Sequence, residues 1–201
     1  MVLVTAAMKA ELQGFFRQDI KTSRMAAYAL GTGETASTAV LQQLLEQYTP
    51  EAVIHLGICA SIDQDMPLGS AFMPDWAARE ASPDDTVGFD SKQGELFSHV
   101  LVQVLRGVRL CRGGGMLTGE TFFTQKMKQE ISRDSRFAAF RGADMESAGL
   151  ARCCADMHIP LVVAKAVSDD LHSPGPKRLA RFIDRWSGMF AEACYLYLGA
   201  I

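Results

Sequence analysis

The sequence GADMESAGLARCCADMHIPLVVAKAVSDD, residues 142–170, contains the pattern from which the fold can be inferred. Its first half predicts a helix, with Asp144 as the N-cap and Glu146 in the first turn, where the helix dipole favours acids. The helix is expected to run to about Met157 and to stop before Pro160, because proline has no N–H group with which to continue it.

A short strand is predicted directly after that helix. Leu161–Val167 is rich in valine and apolar apart from Lys165, as expected for a strand that is covered on both faces. Ser168 and Asp169 then lie just past its carboxyl end, the edge at which open α/β sheets bind their ligands. Taken singly, Glu146 and Asp169 also fit structural roles, as a first-turn acid and a strand-exit cap. Their combination favours a functional site.

Short apolar segments alternate with helical patterns along the rest of the chain. Strands are predicted at Val2–Thr5, Met25–Leu30, Val53–Leu56, Val108–Arg112 and Met116–Gly119. Helices are predicted at Glu34–Tyr48, at Glu95–Arg106 and, after a break at Ser173-Pro174-Gly175-Pro176, to about Leu198. The alternation predicts one domain over residues 1–201, a three-layer α/β/α fold around a mixed, mostly parallel sheet. The polar segment Glu80–Gly94 is expected to be a mobile surface loop.

The composition argues against several classes of protein. With a net charge of −3 and scattered basic residues, the chain has no electrostatic signature of nucleic-acid binding. Its apolar start is too short to span a membrane and lacks the basic leader and cleavage site of a secreted protein. The five cysteines, odd in number, are expected to be reduced, mostly buried thiols of a cytoplasmic protein.

Neither a metal nor a cofactor is expected. The four histidines lie far apart and show no ligand pattern. Gly113-Gly114-Gly115 lacks the spacing of a dinucleotide fingerprint or a P-loop, and no such fingerprint follows Thr5, which argues against a nucleotide-dependent oxidoreductase. The adjacent aromatics Phe122 and Phe123 follow a predicted strand. Such a pair is typical of a core, but it also suits the wall of a pocket for an aromatic ligand.

Five motifs in order along the chain resemble those of the nucleoside phosphorylase and nucleosidase superfamily. They are most similar to the methylthioadenosine/S-adenosylhomocysteine nucleosidase branch, including futalosine-type hydrolases. The resemblance implies a small-molecule nucleoside as substrate and a homo-oligomer as the assembly. The motifs are Ala7-Met8-x-x-Glu11, a small-residue loop after Leu56, Gly119-Glu120-x-Phe122, Asp144-Met145-Glu146 and Ala166-Val167-Ser168-Asp169.

The resemblance implies roles for three acids. Asp169 matches the acid that protonates the five-membered-ring nitrogen of the purine, which makes the base a better leaving group. Glu146 matches the acid that holds the ribose hydroxyls, and Glu11 matches the carboxylate that positions and deprotonates the attacking water. For this chemistry Asp169 is expected to hold a proton near neutral pH.

The resemblance also implies a set of substrate-binding residues. Met145 packs against the sugar, and Ser168 helps to orient Asp169. Phe122 and Phe123 correspond to the segment that stacks on the base and offers it backbone hydrogen bonds. Gly57-Ile58, in the small-residue loop, is expected to complete the pocket.

Two alternatives to a nucleosidase remain open at this point. A phosphorylase of the same superfamily needs cationic and hydroxyl donors for the phosphate dianion. His55 and Ile58 stand at positions where such donors are expected, so water is favoured as the nucleophile. The second alternative is a non-catalytic nucleoside-binding member of the fold, for which Ile58 in place of a serine is a suitable change.

Overall fold

The computed structural model describes residues 1–18, 22–172 and 175–201. Its strands are β1 (Val2–Ala6), β2 (Met25–Ala29), β3 (Ala52–Ser61), β4 (Ala71–Met73), β5 (Trp76–Arg79), β6 (Ser82–Gly88), β7 (Leu110–Arg112), β8 (Gly115–Thr118), β9 (Phe140–Asp144) and β10 (Leu161–Asp169). Its α-helices are α1 (Gln13–Arg17), α2 (Glu34–Tyr48), α3 (Ser91–Leu105), α4 (Gln125–Ile131), α5 (Ser147–Asp156) and α6 (Leu179–Ala200). Two short 3₁₀ helices are Lys9–Leu12 and Ser135–Phe137.

The described strands form one mixed sheet in the order β6-β5-β8-β9-β3-β10-β4-β7, and β1 pairs with both β2 and β3. The pairs β3–β9, β4–β10 and β5–β6 are antiparallel. The other pairs are parallel, including β1–β3 and β3–β10 in the middle of the sheet. The predicted mixed, mostly parallel sheet is therefore confirmed.

Helices cover both faces of the sheet, as alternation along β1 illustrates. Val2 and Val4 pack in a core cluster with side chains of α3 and α6, whereas Leu3, on the opposite face, packs with side chains of α2 and α5. Successive side chains of a strand point to opposite faces, so an apolar strand such as β1 must be covered twice. This arrangement confirms the three-layer α/β/α architecture.

The small-residue segment after Leu56 is not a loop, and that expectation was wrong. β3 continues to Ser61, because its first half pairs with β1, residues 53–60 pair with β10, and its last two residues pair with β9. Similarly, Ser168 and Asp169 lie within the end of β10 rather than past it, beyond a local shift in register.

The segment Glu80–Gly94 is also more ordered than expected. It contains β6, which pairs with β5 at the edge of the sheet, and the first turn of α3. An edge strand needs backbone partners on one side only, and its side chains can stay in water, so its polar composition did not exclude a strand. Strand β9, which was not predicted, places Asp144 at a strand end, and the N-cap position of α5 is Glu146.

The structure also bears on the expectations about the cysteines and about membrane-spanning helices. All five cysteines are free and buried. No helix among the described residues combines the length and the apolarity needed to cross a membrane. Ser173 and Pro174, half of the predicted break before the last helix, lie outside the described residues.

Candidate active site

A cavity of about 110 Å³ lies where β1, β3, β9 and β10 end, beside the start of α5. A second cavity of about 250 Å³ adjoins it and shares the lining residues Ile58, Phe122 and Asp169. Gly57 alone among the predicted site residues does not line the first cavity, because it packs against the Glu11 carboxylate instead. The predicted residues that do line it are Glu11, Ile58, Phe122, Phe123, Met145, Glu146, Ser168 and Asp169.

Glu11 is held rigidly at one wall of this cavity. It lies in the 3₁₀ helix after β1, and its side chain is 5% exposed. Its Oε2 accepts a hydrogen bond from the backbone N–H of Met8 at 2.8 Å, and its Oε1 accepts one from Ile58 at 3.0 Å. Burial raises the pKa of Glu11, although Lys165 and the two N–H donors oppose the shift. A raised pKa suits a carboxylate that is to accept a proton near neutral pH.

Glu146 is the second buried acid that lines this cavity. Its Oε1 accepts a hydrogen bond from the backbone N–H of Gly33 at 2.9 Å. Gly33 has a φ of 92°, a conformation that favours glycine, so the Gly31-Thr32-Gly33 turn presents an N–H group to the site. Burial raises the pKa of Glu146, and the nearby Asp144 adds to the shift while Lys165 reduces it.

Asp144 and Lys165 form a buried ion pair beneath the cavity. Lys165 Nζ lies 3.2 Å from Asp144 Oδ2 and 3.0 Å from His55 Nε2. Asp144 also accepts hydrogen bonds from the hydroxyls of Thr118 and Ser147. Its Oδ1 accepts from the backbone N–H groups of Glu146 and Ser147, so it satisfies free N–H groups at the start of α5, although Glu146 occupies the N-cap position. Burial opposes the charge on Lys165, but Asp144, Glu146 and Glu11 together raise its pKa above the ordinary 10.5.

His55 is neutral in this arrangement. Burial lowers its pKa well below the usual range, and the Lys165 ammonium lowers it further. An ammonium has only donors, so His55 Nε2 accepts from Lys165, and His55 Nδ1 must carry the proton that it shares with Thr5 Oγ1 at 3.1 Å. The His55, Asp144 and Glu146 ligand atoms lie within 4.8 Å of one another, but Lys165 already supplies the cation at this cluster.

Asp169 is anchored at both carboxylate oxygens. Oδ2 accepts a hydrogen bond from the Ser168 hydroxyl at 3.0 Å, and Oδ1 pairs with the buried ammonium of Lys128. Ser168 Oγ is also 3.3 Å from the Cys59 carbonyl oxygen. Donors on both oxygens stabilise a carboxylate ion. The expectation that Asp169 holds a proton near neutral pH stays a prediction.

The two phenylalanines differ in environment. Phe123 is 7% exposed and belongs to a core cluster with Leu117 and Phe140, whereas Phe122 is 73% exposed at the mouth of the cavity. Phe123 is therefore a core residue that also lines the cavity, and the stacking of an aromatic ligand on Phe122 stays a prediction. Met145 is half-buried in the cavity wall next to Glu146.

The site also contains residues that the sequence did not reveal. Lys128 lies in a charged helix whose sequence gives no sign of a buried lysine. Thr118 looked like an ordinary strand residue, and Gly33 looked like an ordinary turn residue. For Lys165, the only indication in the sequence was its charge within an otherwise apolar strand. His172, which follows Asp169 closely, is exposed.

A larger, open groove of about 950 Å³ lies along α2 and the end of β5. An ion pair between Arg79 and Glu34 forms part of its wall. Neither Glu11, Glu146 nor Asp169 lines this groove. The smaller cavity holds the convergent acids and is the candidate active site.

The chain has a mixed α/β sheet with carboxylates gathered at its strand ends. This arrangement is typical of α/β proteins that bind small molecules at that edge of the sheet. The model of the phosphorylase superfamily matches residues 14–195, so the chain belongs to the phosphorylase superfamily. One relative is a 5′-methylthioadenosine/S-adenosylhomocysteine nucleosidase of Tolumonas auensis, 24% identical over 184 residues, which cover 85% of this chain and 79% of the relative.

Solved structures show the same fold. A 5′-methylthioadenosine/S-adenosylhomocysteine nucleosidase of Campylobacter jejuni superimposes with a TM-score of 0.85 at 16% identity, covering 100% of this chain and 99% of the other. A futalosine hydrolase mutant of Helicobacter pylori superimposes with a TM-score of 0.80 at 14% identity, covering 100% and 99%. These likenesses extend over nearly the whole of each chain.

Proposed function

We propose that the protein is a purine nucleosidase that hydrolyses the N-glycosidic bond of an adenosine-type nucleoside. Methylthioadenosine, S-adenosylhomocysteine, a futalosine-like nucleoside and an adenosylated lipid are the candidate substrates. The observation that carries the proposal is the convergence of Glu11, Glu146 and Asp169 on one cavity, from three distant parts of the chain. The names of the relatives support the same reaction.

The sugar side of the reaction falls to two acids. Glu146, held by the Gly33 N–H group, accepts hydrogen bonds from the ribose hydroxyls and stabilises the positive charge that the sugar develops. Glu11, held by Met8 and Ile58, accepts a proton from the water that attacks the sugar. Both acids are fixed by backbone donors, so little reorganisation is needed when charge develops.

The base side falls to Asp169. When the glycosidic bond breaks, its electron pair leaves with the purine, and a proton delivered from Asp169 to the five-membered ring neutralises the departing base. Ser168 orients the Asp169 carboxyl. Phe122, exposed at the cavity mouth, stacks on the purine.

Phosphorolysis is disfavoured by the charges around the cavity. Lys165 and Lys128, the cations described closest to the acids, are each paired with a carboxylate. Ile58 presents an apolar side chain to the cavity. A phosphate dianion would therefore meet carboxylates without a free cationic partner among these residues, which costs more than placing a neutral water there.

The experiment is an incubation of the purified protein with methylthioadenosine, S-adenosylhomocysteine, aminodeoxyfutalosine and inosine, with and without phosphate, followed by chromatography for free base. We expect base release from at least one nucleoside at the same rate with and without phosphate. Release that requires phosphate would make the protein a phosphorylase. Binding of a nucleoside without release would make it a non-catalytic member of the family, for which Ile58 is the favouring observation.

The assembly and the location complete the proposal. The resemblance implies a homo-oligomer, and the reduced, buried cysteines favour the cytoplasm, with the active site in one domain over residues 1–201. Light scattering coupled to size-exclusion chromatography measures the oligomeric mass directly. A monomeric mass for an active protein would contradict the proposed assembly.

A further inference from the structure

Lys128 is a buried lysine on a short, otherwise largely exposed helix. Its side chain is 1% exposed, whereas Lys126 on the same helix is in water. Its Nζ contacts Asp169 Oδ1 and lies 2.8 Å from the Asp170 carbonyl oxygen. Burying an ammonium is costly unless it is paired, so its position indicates a specific role at Asp169 rather than chance packing.

Helix α4 is fastened to the end of the strand that carries Asp169. The Gln125 side-chain amide donates to the carbonyl oxygens of Asp170 and Leu171, and the Gln129 amide lies 3.4 Å from the latter. Together with Lys128, these side chains fix the distance between α4 and Asp169. Lys128 and Asp169 also both line the second, larger cavity.

Both carboxylate oxygens of Asp169 are occupied by hydrogen-bond donors of the protein. Lys128 and the Ser168 hydroxyl both donate to it, an arrangement that favours the carboxylate ion. The departing purine nevertheless needs a proton. Among the described residues in contact with Asp169, Lys128 is the group that carries a transferable proton on a nitrogen.

We propose, on the basis of the nucleosidase function proposed above, that Lys128 and Asp169 form an acid pair in which Lys128 supplies the proton that Asp169 passes to the purine. The Lys128 Nζ–H bond breaks and the proton moves to Asp169 Oδ1. The proton then moves from Oδ1 to the five-membered-ring nitrogen as the glycosidic electron pair enters the base. Water loses its proton to Glu11 and adds to the sugar. After product release, Glu11 gives its proton to solvent and the neutral Lys128 amine takes one from solvent, which restores both groups.

Other charged groups surround the pair and leave this assignment unchanged. The Asp170 carboxylate, next along the chain, accepts from the backbone N–H groups of Leu68 and His172. The buried Cys59 thiol lies on the neighbouring strand, and burial raises its pKa, so it is a poor proton donor. Glu11 and Glu146 lie across the first cavity, where their charges serve the sugar.

Two substitutions of Lys128 and one control test the pair. Lys128→Met removes the charge and the proton, and Lys128→Arg keeps the charge but cannot be deprotonated. Lys126→Met changes an exposed lysine of the same helix. Each variant is assayed with the best purine nucleoside found for the wild type and with 4-nitrophenyl riboside, whose leaving group departs without a proton.

We expect kcat on the purine nucleoside to fall about 10²-fold or more in both Lys128 variants, the size expected for a lost general acid, and to change less than about twofold in Lys126→Met. On the aryl riboside all variants should stay close to wild type. Wild-type kcat on the nucleoside in Lys128→Arg would overturn the proposal, because charge alone would then suffice. Equal losses on both substrates would overturn it too, since they would indicate a damaged site.

Folding and function are separated by further measurements. Thermal unfolding shows whether each variant folds, and the double variant Lys128→Met/Asp169→Asn removes both charges together, so it should recover stability without recovering nucleoside cleavage. If the wild type does not cleave the aryl riboside, the test depends only on the kcat of Lys128→Arg with the purine nucleoside. Absence of nucleoside cleavage by the wild type would instead refute the proposed function, and the acid pair with it.

Discussion

A β-carbon on Gly57 would lie 2.7 Å from Glu11 Oε1, too close for the carboxylate to keep its place. Gly57 has a φ of 151°, a backbone conformation that residues with a side chain rarely adopt. The glycine thus serves the site from outside the cavity. It leaves the space in which Glu11 is held by Met8 and Ile58.

Replacing this glycine should therefore impair catalysis through Glu11. We expect Gly57→Ala to lower kcat about 10²-fold, because a carboxylate displaced by an ångström loses its alignment with the water. Steady-state kinetics measure the loss. Gly94→Ala is the matched control, since nothing lies within 4 Å of a β-carbon there and alanine favours helix α3 by about 1 kcal/mol. Equal kcat values in the two variants would contradict this role for Gly57.

Removing the charge of Glu11 should remove the general base. Glu11→Gln keeps the size of the side chain but cannot accept the proton of water, so kcat should fall about 10²- to 10⁴-fold. Chromatography of the free base that is released over time measures kcat. Glu95→Gln, an exposed acid on α3, should leave kcat unchanged. Wild-type turnover in Glu11→Gln would exclude Glu11 as the base.

Burial of the two acids also predicts the pH dependence of stability. The pKa values of Glu11 and Glu146 are raised above 4.5 in the folded protein. Their contribution to stability is full below pH 4.5 and is lost as the pH rises through the folded pKa values. Glu11→Gln removes one such group. The free energy of unfolding of the variant minus that of the wild type should therefore be larger at pH 8 than at pH 5, which means that the variant is relatively more stable at pH 8. Urea denaturation at both pH values checks the sign, and a difference independent of pH would refute it.

The buried ion pair under the cavity should be essential for folding stability. Lys165→Met leaves Asp144 charged and without its cation, which should cost about 3–5 kcal/mol in the free energy of unfolding. Urea denaturation measures the cost, and Lys177→Met on the surface is the control. The double variant Lys165→Met/Asp144→Asn should lose less than the sum of the single losses. Additive losses would mean that the two residues do not interact.

The adjacent phenylalanines should separate binding from stability. Phe122→Ala removes an exposed ring at the cavity mouth, so it should raise KM about 10-fold through lost stacking and leave the free energy of unfolding nearly unchanged. Phe123→Ala truncates a buried ring and should destabilise the fold by about 3–5 kcal/mol. Kinetics and urea denaturation of both variants check the contrast. Equal destabilisation by the two changes would be inconsistent with the structure.

Periodicity and composition were sufficient for the long helices α2, α3, α5 and α6 and for strands such as β1 and β10, but they did not predict the short helix α4. β1 and β10 are apolar on both faces, and the long helices α2 and α6 have one apolar face each, so their patterns are strong and local. β9 escaped prediction because it pairs with the end of β3, which lies far away in the sequence, whereas β6 pairs with the neighbouring β5 and was missed because its residues are polar. The polarity of β6 reflects its place at the sheet edge, which local sequence does not reveal.

The sequence alone was enough to identify the type of sheet and the candidate acids, because buried strands and their carboxylate ends leave marks within a few residues. It could not show that Lys128 reaches Asp169 or that Lys165 lies between His55 and Asp144, since these three pairs join residues that are 41, 110 and 21 positions apart. Burial and the distances between charges arise only when strands and helices pack. Those two quantities decide which carboxylate is protonated, which is paired, and which can act.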